Sequence, residues 1–269
     1  MKARVSLLAL LLGALLLGAL LLGALFQSFG QEGGRPMEPA KPAKTPLATL
    51  HAPESAWTWG YFFAAEDKAA VKALFGDRPQ SLNRYRVDKV VAVRGKAGVS
   101  LKPDATLIRL ESPTRLSTVR DAKSPTLLLQ GVPQHLQYTT GEQRADLNKR
   151  SRAELPAGKD TVAVVIPIRK SAAWWSLPQD ERNAHFHKKG DKPGHTAIGA
   201  KYVERIYRKL YHTRYVVETT DHDFITYFEF ERKHTEDFKN LLAQLRDPQQ
   251  NPEWNHVDHE YEIWLTKLE

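Results

Sequence analysis

Hydrophobic and polar positions change their period several times along this chain. Residues 57–65 are rich in aromatics and read as a strand. Residues 66–75 take helical spacing, with Ala70, Val71, Leu74 and Phe75 on one side and Gly76 as the stop. Residues 87–93 and 105–110 are short runs of strand type, separated by turn material that includes Gly95, Gly98 and Pro103. Residues 127–138 read as another strand, interrupted by Pro133. Residues 141–159 are polar, charged and without a period, which reads as an irregular connection between two halves.

The second half has the clearer pattern. TVAVVIPI at 161–168 is an unbroken β-branched run, the mark of a strand buried on both faces. A helix is expected from Pro178 to about 188, with Asp180 and Glu181 at its positive end. A second helical piece spans about 195–203. Two strands follow, at about 204–217 and 223–231. In the first of these, Ile206, Arg208 and Leu210 share one face. An arginine directed at an apolar face needs an anion or another acceptor. Residues 235–245 place Phe238, Leu241, Leu242 and Leu245 on one side of a helix, and 257–268 alternate as a strand. The order β-α-β-β-α-β is that of a ferredoxin-like unit, and 57–155 read as a shortened version of what 156–269 contain.

Residues 1–30 read as a targeting segment. Lys2 and Arg4 precede an uncharged apolar run, 5–26, with a repeated LLGAL, and Ser28 to Gly30 supply small residues for cleavage. This is either a signal peptide or an N-terminal anchor tethering the protein to the membrane through residues 5–26. Both readings place the domain outside the cytoplasm, in the periplasm. Residues 31–56, rich in Pro and Ala, read as a linker.

Composition narrows the chemistry. At 269 residues and 42% hydrophobic, the chain holds enough for one large domain or two small ones. With no Cys, disulfides, thiolate metal sites and Cys nucleophiles are excluded. The formal charge is +8, of which Lys2 and Arg4 in the leader contribute two. Such a balance suits a nucleic acid, a membrane surface or a small anion, or scattered solvated side chains with no partner. No zinc finger, helix-turn-helix or RNA-recognition signature is present, so nucleic acid is not an expected partner. His185-x-His187 brings two imidazoles close, but without HExxH or Cys it is a weak metal signal. His195, behind Pro193-Gly194 at a break in a helical stretch, reads on its own as a polar loop residue or as a metal ligand.

Several short motifs fall in one order: KSAAWW (170–175), PQDER (178–182), His195-Thr196, RKLYHT (208–213) and DFITYFE (223–229). Together with the interval from His195 to Arg208, they resemble the chlorite dismutase family over roughly residues 160–245. GVPQHLQYTT (131–140) extends the likeness into the first half. The resemblance implies an α+β fold in which two ferredoxin-like β-α-β-β-α-β units, packed sheet to sheet, form a dimeric α/β barrel. It implies haem b with its iron on His195, and Trp174, Trp175, Tyr138 and Gln137 lining the haem; at Gln137 the family more often has Asn. It implies Arg208 as the catalytic residue, holding chlorite by a charge-assisted fork while it is converted to chloride and dioxygen. A homo-oligomer is expected. Two other readings stay open: a related peroxidase-like haem enzyme, and a non-catalytic haem-binding protein. The family places a Glu behind the iron ligand; the aligned position falls near Gln250, with Glu253 three residues on.

Overall fold

The computed structural model describes residues 58–65, 81–112, 126–133, 141–214, 216–217 and 220–268. The leader, the linker, the helix expected at 66–75, and Gln137 and Tyr138 lie outside these residues. Eight strands are present: β1 (Trp59–Ala65), β2 (Ser81–Arg94), β3 (Thr106–Ser112), β4 (Thr126–Pro133), β5 (Thr161–Lys170), β6 (Ile206–His212), β7 (Phe224–Glu231) and β8 (Val257–Lys267). The helices are α1 (Gly141–Arg150), α2 (Ala172–Ser176), α3 (Gln179–Ala184), α4 (Gly194–Ala200) and α5 (Thr235–Leu245), with a 3₁₀ turn at Pro252–His256. No described helix is long and apolar enough to cross a membrane.

The strands close into one barrel in the order β1-β3-β2-β8-β5-β7-β6-β4. This corrects the expectation of two ferredoxin-like units packed sheet to sheet. The halves meet edge to edge instead. β2 pairs with β8 from Tyr85↔Lys267 to Arg94↔Glu260, and β4 pairs with β6 through Val132↔His212 and Pro133↔Tyr211. Joining edges satisfies backbone groups that two separate sheets would leave open. Among the described residues, each half supplies four of the barrel strands.

Side-chain alternation builds three apolar clusters. The lumen gathers residues from every strand, including Phe62, Tyr85, Leu107, Leu129, Val165, Tyr211, Tyr227 and Ile263. Only the inside of a closed barrel can collect from all eight. The outer face of β5, β6, β7 and β8 presents Val162, Val164, Ile206, Phe228, Phe230 and Trp264. There it packs under Ile198 of α4 and Phe238, Leu241 and Leu242 of α5. Covering both faces explains why β5 reads as an unbroken apolar run. A third cluster, around Trp59, Tyr61, Phe63, Ile108 and Leu110, lies on the opposite face of β1 and β3 from their lumen residues.

One end of the lumen is polar. Arg109, 1% exposed, donates to Tyr211 at 3.0 Å, Glu111 at 2.7 Å and Glu154 at 2.7 Å. Lys209 reaches Glu111 at 2.6 Å, and Lys267 bonds Glu229 at 2.7 Å and Glu154 at 3.2 Å. Three cations face three carboxylates, so the buried charge is compensated.

The segment expected to be irregular contains α1. Its sequence, GEQRADLNKR, has almost no apolar residue and so no hydrophobic period. Local charge holds it: Asp146 pairs with Arg150 one turn on, at 2.6 Å, and Lys149 and Arg150 sit at the negative end.

Candidate active site

The site is assembled where β5 ends, α4 begins and the 3₁₀ turn precedes β8. The chain enters α4 through Gly194 at φ +74, a conformation that glycine adopts freely. A Cβ there would meet the His187 carbonyl oxygen at 2.5 Å. The Gly194 amide is taken up by the carbonyl of Gln250 at 3.0 Å. These constraints set the direction of the next side chain, His195.

His195 Nδ1 lies 2.6 Å from Glu253 Oε2. Glu253 is buried, and its other oxygen accepts from the buried Lys170 ammonium. Burial alone would raise the Glu253 carboxyl, but Lys170 and then His195 outweigh it and hold it far below the usual carboxylate range. An ionised carboxylate only accepts hydrogen bonds. The imidazole proton therefore sits on Nδ1, and the Nε2 lone pair remains for a ligand. Glu253, not Gln250, backs His195; Gln250 instead contributes its backbone carbonyl to Gly194 and its side chain to Asp247.

Trp174 is buried and stands beside this group. Its ring lies 5.0 Å from Lys170 Nζ and contacts Phe186 at 5.8 Å, and Phe186 contacts His195 at 5.4 Å. Trp175 points elsewhere. Its indole donates to Asp223 at 3.2 Å, stacks on Phe224 at 6.0 Å and lies under the Arg214 guanidinium at 4.1 Å. Asp223, which opens the DFITYFE motif without an assigned role, is 5% exposed and also takes the backbone amide of Lys170 at 2.7 Å. It joins the end of β5 to the start of β7. Lys170 opens the KSAAWW motif, but its role could not be read there, because its partner is 83 positions away.

Arg208 projects from the outer face of β6, in line with Ile206 and Leu210, as alternation predicts. It makes no side-chain hydrogen bond or ion pair with a described residue. The side chain is exposed, yet surrounding protein lowers its guanidinium below the usual arginine range, with the charge of Glu253 opposing the shift. Glu253, which is hydrogen-bonded to His195, thus also favours the charged form of Arg208. His185 and His256 pack edge to face at 4.8 Å, and the described residues hold no group of three or more His, Asp or Glu able to bind a metal by themselves.

A family model described as chlorite dismutase matches residues 65–266. The chain belongs to the chlorite dismutase family. A curated family relative, the chlorite dismutase of Ideonella dechloratans, is 32% identical over 127 residues; the match spans 46% of this chain and 40% of that protein. Among solved structures, the dimeric chlorite dismutase of Nitrobacter winogradskyi is 30% identical. It covers 77% of this chain and 99% of its own, with a TM-score of 0.55. A variant of the enzyme from Candidatus Nitrospira defluvii is 25% identical, covering 82% and 94%, with a TM-score of 0.56.

Family membership allows the residues to be tested for fit to haem. A haem iron needs one protein ligand with the opposite face open. His195 offers a single nitrogen lone pair fixed by a charged partner. Arg208 comes from a different element, β6. The donor set fits a haem iron better than a metal held by side chains alone.

Proposed function

We propose that this protein decomposes chlorite to chloride and dioxygen, with haem b bound through His195. The observation that carries the reading is the chain Lys170–Glu253–His195. It leaves the imidazole Nε2 available, and Arg208, with no side-chain partner among the described residues, offers a guanidinium that suits a small oxyanion. Haem, when bound, supplies the redox chemistry. The side chains do the rest. Glu253 fixes the imidazole tautomer and raises its basicity, and Lys170 keeps Glu253 ionised. Arg208 binds the chlorite anion by charge-assisted hydrogen bonds and stabilises the charge that develops as the substrate reacts. Trp174 packs on Phe186, the ring that lies against His195, and adds an apolar layer behind it.

Glu253 behind His195 supports the catalytic reading over a non-catalytic haem-binding protein. We extend the proposal to a homo-oligomer, as in the Nitrobacter winogradskyi relative; light scattering at the mass of a single chain would remove that part. Residues 1–30 complete it as an export signal or anchor, which fractionation of producing cells would check.

The deciding experiment is oxygen release on an electrode from the haem-loaded protein given chlorite. Wild type should release dioxygen. Arg208→Ala should lose roughly 10²–10³ in turnover while its Soret band persists. A normal Soret band in wild type with no dioxygen would overturn the reaction and leave a haem protein of other activity.

A further inference from the structure

We propose that Arg94, from the N-terminal half, is a positioning residue for the His195 side of the site and acts through Glu253. The inference rests on the proposed role of His195.

Glu253 sits inside the 3₁₀ turn Pro252–His256. Five residues is long for 3₁₀ geometry, whose hydrogen bonds are poor, so such a turn depends on ties from outside. Its leading residue, Asn251, makes no side-chain cap. The Asn251 amide side chain instead fastens the front of the turn to the Leu245 carbonyl of α5 at 2.8 Å. Arg94 fastens the back. Its Nη1 donates to the carbonyl oxygens of Trp254 at 3.0 Å and Val257 at 2.5 Å. Its guanidinium carbon lies 4.4 Å from the centre of the Trp254 ring. One charge-assisted bond and a cation–π contact therefore hold Trp254, the residue next to Glu253, and a second bond holds Val257 just past the turn.

The backbone is arranged to deliver this side chain. The β2–β8 register shifts between Ala92 and Arg94, a bulge that re-aims the strand end. Gly95 follows at φ +75, where a Cβ would meet His259 at 2.6 Å. β2 carries none of the residues expected to touch haem or chlorite. Through Arg94, however, it sets where the Glu253 carboxylate stands against His195. A bond of 2.6 Å between imidazole and carboxylate is sensitive to small displacements, and with it the electron density His195 gives to a metal.

The test is the iron midpoint potential of the haem-loaded full chain, measured for wild type, Arg94→Ala, Arg94→Lys, Glu253→Gln and the double variant Arg94→Ala/Glu253→Gln. Loosening Glu253 weakens stabilisation of the oxidised iron. Arg94→Ala should therefore shift the potential upward; each tenfold change in that preference reads as about 59 mV. Arg94→Lys, which keeps a cationic donor but not the fork, should shift it less. The double variant should match Glu253→Gln alone, because one path is being cut twice. An Arg94→Ala potential equal to wild type, or shifts that add in the double variant, would overturn the proposal. If Arg94→Ala does not fold, Arg94→Lys with and without Glu253→Gln decides by the same comparison. Wild type that takes up no haem overturns the function reading itself; an unshifted Arg94→Ala in a haem-binding protein overturns only this inference.

Discussion

At the scale of single residues, the candidate site depends on the buried partners behind His195. Glu253 is ionised because Lys170 and His195 outweigh its burial, and it is useful because it is ionised. Lys170 in turn stands over Trp174. Gly194 governs the approach to His195. Gly194→Ala forces a left-handed φ on a residue with a Cβ, which costs about 1–2 kcal/mol, and drives that Cβ into the His187 carbonyl. We expect a lower melting temperature and a reduced haem-binding titre. An unchanged Soret titration would show that the entrance to α4 does not set the His195 position.

At the scale of elements, the helices divide the work. α5 is structural. Phe238 is fully buried, stacked on Phe230 at 4.6 Å and edge-on to Phe228 and Trp264. Truncating it to Ala should cost about 3–5 kcal/mol in urea unfolding. A loss below about 1 kcal/mol would mean that the outer face of the barrel does not need this helix as its cover. α4 and the 3₁₀ turn, by contrast, are short and carry site residues. Their stability comes from ties to β2, β5 and α5 rather than from their own hydrogen bonds. α2, only five residues, is capped by Ser171, which accepts from the Trp174 amide at 3.2 Å. Within this turn of helix, adjacent Trp174 and Trp175 point in different directions, about 100° apart.

At the scale of the whole molecule, the two halves are joined by two strand seams and by the ion cluster in the lumen. Glu111 of β3 meets Lys209 and Tyr211 of β6 across the barrel. Burial would raise its carboxyl, but Arg109 and then Lys209 prevail and hold it at about 2. A depressed carboxyl stabilises the fold above its unfolded range near 4.5, and that contribution is lost as pH falls towards 2. Glu111→Gln should therefore be less stable than wild type at neutral pH. The gap between their melting curves should close between about pH 4.5 and 2. A gap that stays constant over this range would show that Glu111 is not charged in the folded protein.

The sequence by itself determined the strands whose faces alternate or are wholly apolar, the helix at 235–245, and the shared face of Ile206, Arg208 and Leu210, because those depend on period alone. It also carried the family, through short motifs in order. It did not reveal α1, whose stability comes from charge pairs rather than an apolar stripe, nor the single closed barrel. Closure depends on which strand edges pair, and β2 with β8 or β4 with β6 are far apart in the chain. The same holds at the site. His195 and Arg208 stand out by type and context, whereas Lys170 and Asp223 lie in motifs that do not reveal their roles and Arg94 looks like an ordinary charge. The choice of Glu253 over Gln250 likewise needed the turn that aims one side chain inward and leaves the other only a carbonyl to offer. What made those residues matter was a partner brought near by folding, and only the tertiary structure supplies partners.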